Sequence, residues 1–450
     1  MTPPKRQLGM LVAAAIVVAN MIGAGVFTGA GFQTAYSFKD PWTIISTWVI
    51  GGIIALCGAA TYAELGTLMP RAGGEYVYLR EAYHPVVGFM SGFVSLIVGF
   101  SMPIAVAAVL FASYLARVAP GLADPTAIKV VACALIVGMT TLHAIDTKVG
   151  GRVQTAFTIA KVALIVVFVL AGVLVGHGDW GNYAARPDRI FSGAEGAGAT
   201  AYATALMYVS FSYSGWNAAA YVAGEIDKPQ RTLPRALLLG TVVVMVLYIG
   251  LNLVFFYAVP AEQLGVDPVK MPAGDIAARA LFGNSAGDLL SSLIALALMS
   301  SVSAMVMAGP RVYATMAADH ALPAIFARYT KRGVPAVSVG LQCVTAIAFV
   351  IFSDPDPLLQ TVGFTLAIFA TLTVGALFVF RARRAPSTYR VPGYPLTPLL
   401  FVALSVWTVY FGIKAHPKVG LGIVVVLAVG LVIYLATARG KPRIHIEADE

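Results

Sequence analysis

Residues 16–27 read IVVANMIGAGVF, and residues 205–220 read ALMYVSFSYSGWNAAA. Small residues interrupt each apolar stretch: Gly23-Ala24-Gly25 in the first, Ser212-Tyr213-Ser214-Gly215 in the second. The interruptions lie about 190 residues apart, each where a membrane-crossing helix should be continuous. Broken helices in corresponding halves of an apolar chain are the best single-sequence pointer to a solute site near the bilayer midplane.

The composition puts both stretches in lipid. Of 450 residues, 59% are hydrophobic and only 11% are charged, with a mean hydropathy of +0.82. A soluble domain carries about 25% charged residues. A helix needs about 20 apolar residues to cross the hydrocarbon core. The pattern predicts spans near 10–36, 42–68, 86–118, 127–146, 154–176, 199–223, 234–259, 287–317, 335–352, 358–380, 396–414 and 419–437, about twelve in all. The short alternating segments of a β-barrel are missing. MTPPKRQLGM leads straight into the first span with no cleavage-site pattern, so that span is expected to stay in place. The net charge of +9 follows topology. With the N-terminus cytoplasmic, the inner loops and tails hold 20 of the 30 Lys and Arg residues. This asymmetry predicts cytoplasmic termini for a multi-pass protein of the cell (inner) membrane, and it argues against nucleic acid as a partner. Cys57, Cys133 and Cys343 all fall within spans, where a thiol is a small apolar filler.

The breaks fall in spans one and six, so five helices separate equivalent positions. An odd repeat length inverts orientation automatically. The expected fold is therefore all-α, a single transmembrane domain with inverted repeats at about 9–176 and 197–380. Two additional helices at about 396–437 stand outside the repeat. The external loops near 177–198 and 260–286 have room for short surface helices. The internal segment ATMAADHALPAIFARYTKRG (314–333) is expected to contain a short amphipathic helix at the interface.

Breaking a helix in lipid leaves backbone groups unpaired at several kcal/mol each, so such a break persists only where something satisfies them. The amides of Gly23, Ala24 and Gly25 open a second half-helix, whose positive dipole end suits a carboxylate. The carbonyl of Met21 closes the first half-helix and suits an ammonium. Glycine lets a ligand approach the backbone. A small-residue packing face explains the same letters equally well. At the second break, the carbonyls of Phe211 and Ser214 add acceptors, Ser212 and Gly215 complete the segment, and the Phe211 ring is placed to close over a solute as a gate. Ordinary aromatic packing is the alternative.

Lys161 lies about eight residues into span five. A lysine at a helix centre costs about 2.5–3.5 kcal/mol on insertion scales, so such residues usually face a cavity or pathway. Its ammonium can fill a cation position that holds spans one and eight together, or carry a proton; snorkelling to the interface is the alternative. The six histidines are dispersed without metal-ligand spacing, and no phosphate-binding loop occurs. Neither a metal nor any other cofactor is expected. Glu64, Glu225 and Asp288 sit near helix ends, which leaves a cationic side chain without a mid-membrane counter-charge and favours a neutral solute.

These residues resemble the amino acid–polyamine–organocation (APC) superfamily of permeases, in particular bacterial relatives of the L-type amino-acid transporters. MIGAGVF (21–27) resembles the family's span-one Gly-Ser-Gly segment. ATYAELGTLMPRAGGEYVYLREAYHPVVGF (60–89) is close to its span-two-to-three segment. FSYSGWNAAAYVAGEIDKPQRTLPRALLLG (211–240) matches the span-six-to-seven segment, and YRVPGYPLTPLL (389–400) the start of span eleven. The resemblance implies that a substrate carboxylate binds at Gly23, Ala24 and Gly25 and its ammonium at Met21, Phe211 and Ser214. It further implies that Lys161 replaces a sodium ion, so transport is sodium-independent. Ala24 departs from the serine of many members, which removes a hydroxyl bond to charge worth about 1.5–3 kcal/mol. The external loop at 119–126 lacks the cysteine by which animal relatives attach a heavy subunit, so no covalent partner is expected.

The expected function is secondary transport of small or hydrophobic neutral L-amino acids by alternating access, as an exchanger. The alternatives are a proton-coupled permease or antiporter for cationic amino acids or polyamines, and a non-transporting amino-acid sensor. A membrane-embedded enzyme would need a polar catalytic cluster at membrane depth, which the spans lack.

Overall fold

The computed structural model describes residues 8–145, 147–184, 198–268, 271–319, 321–330, 332–353 and 355–437. Several predicted features lie outside these residues. They are the basic tails with Lys5, Arg6, Arg439, Lys441 and Arg443, the loop 185–197 with Arg186 and Arg189, and Lys270, His320, Lys331 and His445.

Lipid offers the backbone no hydrogen-bond partners, and the chain answers with helices. Among the described residues, ten helical segments are long and apolar enough to cross a membrane. They are Met10–Tyr36, Pro41–Leu68, Pro85–Val118, Pro125–Ala144, Thr155–Leu174, Pro229–Ala258, Asn284–Ala318, Leu358–Ala382, Leu396–Ala415 and Pro417–Ala436. Ala336–Phe352 is a shorter apolar helix in the position of span nine. Span six is the helix Ala199–Tyr213 followed, after a turn, by Ala218–Tyr221. The predicted spans thus all have a helical counterpart.

Local chemistry sets several ends. Asp40 caps span two by accepting from the Thr43 amide at 2.7 Å, with Pro41 at the first helical position, where its missing N–H costs nothing. His84 and Pro85 start span three in the same way. That span passes through a π-helical stretch at Ser95–Ser101.

The helix pairs exchange between the two halves. Spans two and seven pack against each other, as do three and eight, and four and nine. Span one packs on five, and correspondingly six on ten. The interior belongs to spans one, three and eight, whose most apolar windows are 65%, 72% and 67% buried, against 11% for span twelve.

The loops after spans five and seven carry a 3-10 turn at Trp180–Tyr183 and helices at Ala261–Leu264 and Ala273–Phe282. In place of the expected short interfacial helix within 314–333, span eight continues to Ala318 and, among the described residues, a 3-10 turn at Ala324–Ala327 follows. Pro323 precedes that turn and Gly333 takes a φ of 76°, so the intervening chain has little room for a longer helix.

Candidate functional site

The two breaks meet. Span one is helical over Met10–Met21 and again over Ala24–Tyr36; between them Ile22 leaves the helix at φ −72° and ψ 89°, and Gly23 is extended. Span six leaves its helix after Tyr213, and Gly215 takes a φ of 99°. A Cβ on Gly215 would lie 2.8 Å from the Asn20 carbonyl carbon, and one on Gly25 would lie 2.7 Å from Ser212 Cα. Only glycine permits these two approaches, because a methyl group would overlap backbone on the opposite break.

Each break presents complementary backbone. By helix geometry, the first N–H groups of Ala24–Tyr36 have no acceptor inside that helix. The carbonyls that end Met10–Met21 find other donors. Lys161 is buried at 2% exposure. Its Nζ donates to the Ile22 carbonyl at 2.6 Å, the Ala19 carbonyl at 3.2 Å and Ser301 Oγ at 3.0 Å. Ser301 in turn donates to the Ile22 carbonyl at 2.8 Å. The ammonium therefore lies between spans one and eight with its three protons engaged, and it does not reach toward the interface.

Tyr248 of span seven joins the breaks from behind. Its hydroxyl lies 2.6 Å from the Met21 carbonyl and 2.9 Å from the Ser212 carbonyl. The Phe211 carbonyl accepts from Ser214 Oγ at 2.6 Å and the Ser214 amide at 3.0 Å. Ser212 Oγ donates back to the Tyr208 carbonyl at 2.8 Å. Two of the predicted ammonium acceptors, Met21 and Phe211, thus already carry one internal bond each or more. A carbonyl oxygen has two lone pairs, so one further donor at Met21 remains compatible with this geometry.

Aromatic residues form the wall. Tyr248, Trp48 and Tyr213 pack together with ring centroids 5.0–6.2 Å apart. The Tyr213 hydroxyl bonds to the Trp48 carbonyl at 3.1 Å. Toward the side away from the chain termini, Gln33 of span one accepts from Trp48 Nε1 at 2.8 Å and donates to Thr47 and to the Ala205 carbonyl, tying spans one, two and six. Phe211 is buried on the last turn before the second break. Trp216 packs edge-on against Tyr62 at 4.7 Å and near Phe401 at 5.9 Å, so it is a packing residue of spans two and eleven.

Ion pairs flank the site on both sides. On the side of the chain termini, Arg311 of span eight reaches Glu225 at 2.6 Å, Arg381 reaches Glu64 at 2.7 Å, and Asp319 holds Arg71 and Arg80. Leu8 exchanges backbone bonds with Glu225 and Asp227 at 2.9 and 3.0 Å, joining the start of span one to the segment after span six. On the side away from the chain termini, Asp275 binds Arg117 at 2.9 Å, Arg279 at 3.0 Å and Ser291 at 2.7 Å. Among the described residues, no group of three or more His, Cys, Asp or Glu side chains could hold a metal ion.

Reading the sequence alone missed Tyr248, Ser301 and Asn20 as neighbours of the breaks. Tyr248 and Ser301 are polar atoms inside otherwise apolar spans, a signal of internal pairing in lipid. Met21 lies 227 residues from Tyr248 and Ile22 lies 279 residues from Ser301, and no local pattern names them as partners.

Comparison with known proteins agrees with this architecture. Residues 8–437 match the family model described as amino acid permease. The chain is 30% identical to the serine/threonine exchanger SteT of Bacillus subtilis (strain 168), over 97% of this chain and 98% of that protein. It is 28% identical to the b(0,+)-type amino acid transporter 1 of Mus musculus, over 92% and 84% of the two chains. It is 26% identical to the large neutral amino acids transporter small subunit 2 of Mus musculus, over 96% and 80%. A multi-pass chain with two facing helix breaks, matched by a family model over nearly its whole length, belongs to the amino-acid permease family of the APC superfamily.

Proposed function

We propose that the chain is a sodium-independent exchanger of small or hydrophobic neutral L-amino acids, with serine and threonine the first to test. The observation that carries this reading is the meeting of the two breaks at Gly25–Ser212 and Gly215–Asn20. It brings the free amides of one half-helix and the terminal carbonyls of two others to one place, the complement of a zwitterion. The substrate carboxylate sits on the amides of Gly23, Ala24 and Gly25, where the helix dipole favours negative charge. The ammonium sits against the carbonyls of Met21 and Ser214, and against that of Phe211 once one of its two bonds from Ser214 is released. Phe211 closes over the solute, and Ser212 and Gly215 line the second break.

Donor counting supports the ammonium position. Tyr248 has one hydroxyl proton for two carbonyls, those of Met21 and Ser212. An ammonium with three N–H donors relieves that shortage. Lys161 supports sodium independence: a fixed ammonium already engages the Ala19 and Ile22 carbonyls and Ser301, where a bound cation would otherwise be needed. The choice of serine and threonine follows the name of the SteT relative.

Alternating access in this reading moves spans one, two, six and seven against the rest, within inverted repeats at about 9–176 and 197–380. The termini face the cytoplasm of a cell membrane, and the protein works without a covalently attached subunit. The test is counterflow in liposomes of purified protein preloaded with single amino acids. Labelled serine should enter only when an internal neutral amino acid is present, with no stimulation by sodium. Uptake indifferent to internal amino acid would overturn exchange, and sodium dependence would overturn the role given to Lys161.

A further inference from the structure

Near the terminus-side end of span six lies a buried carboxyl without a cation. Glu75 opens the helix Glu75–Ala82, which follows Gly73 and Gly74 at φ 116° and 51°. The positive φ values let the chain turn sharply against span six. The Gly73 amide donates to the Tyr221 carbonyl at 3.1 Å, and a Cβ on Gly74 would lie 2.5 Å from the Tyr221 ring.

Glu75 is only 4% exposed. Its Oε1 accepts from the Tyr62 hydroxyl of span two at 2.6 Å. The same oxygen accepts from the amide of Asn217 at 2.9 Å, and Asn217 belongs to the turn that interrupts span six. Asn217 also reaches the Tyr221 hydroxyl at 3.2 Å.

The surroundings are polar but uncharged. Facing Glu75 are Tyr62 of span two, Tyr78 of its own helix, and Asn217 and Tyr221 of span six. Behind these stand Thr373 of span ten, on Tyr62, and Ser95 of span three, on Tyr221. The charged groups on the packed elements are engaged elsewhere. Arg80 binds Asp319, Arg381 binds Glu64, and Arg383 donates to the carbonyls of Glu81 and Ala82. Beyond them, His84 accepts from the Val86 amide, and Glu225 is paired with Arg311. Among the described residues, Glu75 thus forms no ion pair. Burial pushes its carboxyl up to about 7, against the smaller opposing pull of the Tyr62 and Asn217 hydrogen bonds.

We infer that Glu75 is a proton-binding site that couples the pH of the terminus-side water to the turn interrupting span six. Resting on the transport reading, this names a regulatory ligand of the same machinery, the proton. With the proton bound, the carboxyl is neutral and Asn217 stays docked on Glu75, whose same oxygen holds Tyr62 of span two. With the proton released, a buried unpaired charge remains, and that favours conformations in which water reaches it. Deprotonation therefore favours opening toward the terminus side.

The test compares wild type with Glu75→Gln and Tyr62→Phe. Glutamine imitates the neutral acid, and phenylalanine removes a donor that favours the charged form. A single group titrating at about 7 passes from about nine-tenths protonated at pH 6 to about one-tenth at pH 8. Exchange by wild type should change several-fold across that interval. E75Q should exchange at a rate insensitive to pH, and Y62F should move the midpoint to higher pH. A wild-type profile retained by E75Q, or a flat profile in wild type, overturns the proposal.

Thermal melting in detergent provides a readout free of transport. A raised native pKa means the folded state holds the extra proton, so stability falls as pH rises from the unfolded value through about 7. The Tm of wild type should therefore drop relative to E75Q between pH 5 and 8. Parallel melting profiles refute the proton site. Failure of every variant to exchange any amino acid, with diverging melting profiles, refutes the transport reading and leaves the proton site standing.

Discussion

The carbonyls of Met21 and Ser212, on different broken spans, converge on one donor, the hydroxyl of Tyr248, at 2.6 and 2.9 Å. Span seven thereby holds both breaks in register. In Tyr248→Phe the aromatic packing against Trp48 and Tyr213 stays possible, while two buried acceptors lose their common donor. Leaving such a group unsatisfied costs about 1–3 kcal/mol. The expected outcome is a lower Tm in detergent and a KM for exchange raised about tenfold, which corresponds to about 1.4 kcal/mol. An unchanged KM would remove Met21 from the ammonium site.

Lys161 makes the second prediction. Its three bonds satisfy the end of a half-helix that lipid cannot satisfy. Lys161→Ala strands the Ala19 and Ile22 carbonyls and opens a cavity between spans one, five and eight. Exchange should fall by about a hundredfold or more, since each hydrogen bond to charge is worth about 1.5–3 kcal/mol. Added sodium tests whether an external cation can substitute. Rescue of Lys161→Ala, but not of wild type, by sodium would identify the ammonium as a built-in cation.

How much of this was legible in the sequence depended on what each feature demands. Lipid requires about 20 apolar residues per crossing, so the spans could be read to within a few residues. The breaks were visible because Gly25 and Gly215 stand where backbones touch, and few other residues fit there. The pairings were not visible. Tyr248 with Met21, Ser301 with Ile22, and Asn217 with Glu75 join positions far apart in the chain, and a lone hydroxyl or amide in a span does not announce its partner. The expected short interfacial helix within 314–333 fails for a local reason: Pro323 enters the Ala324–Ala327 turn at φ −53° and ψ 136°, outside the helical region, and Gly333 at φ 76° interrupts any helix beyond it.

The glycine crossings give a sharp contrast. Gly215→Ala meets both a positive φ and backbone atoms of Asn20 within 2.9 Å. Gly25→Ala meets Ser212 Cα at 2.7 Å. Neither contact is the end of a flexible side chain, so the breaks must separate. Each variant should lose most exchange, with destabilisation of about 1–3 kcal/mol from strain alone at Gly215. Gly138→Ala, on span four with nothing within 4 Å of the new methyl, should behave as wild type. Equal behaviour of all three would deny that the breaks depend on close approach.

On the side away from the chain termini, acid should loosen the Asp275 cluster. Burial acts to raise the Asp275 carboxyl, but bonds from Arg279 and Ser291 and the Arg117 charge outweigh it and hold the pKa below the usual value. A depressed native pKa stabilises the fold above the unfolded pKa, and that stability is lost as pH falls through the native one. Wild type should therefore lose Tm below about pH 4, near the ordinary aspartate range. Asp275→Asn should start lower at neutral pH and lose less on acidification. The same acid sensitivity in both proteins would assign it to another group.

Ala24 offers the most direct test of where the carboxylate binds. The family segment it resembles carries a serine in many members, and alanine supplies only the backbone amide. Ala24→Ser adds one hydroxyl at the start of the half-helix Ala24–Tyr36. A hydroxyl donating to a carboxylate contributes about 1.5–3 kcal/mol, so KM for serine should fall by tenfold or more. A serine near a helix start can instead bond to the backbone and stabilise the helix by about 1 kcal/mol. The two outcomes separate cleanly in one pair of measurements. A lower KM that disappears for an analogue lacking the carboxylate places the substrate at this break, whereas a raised Tm with unchanged KM assigns the hydroxyl to capping and moves the carboxylate elsewhere.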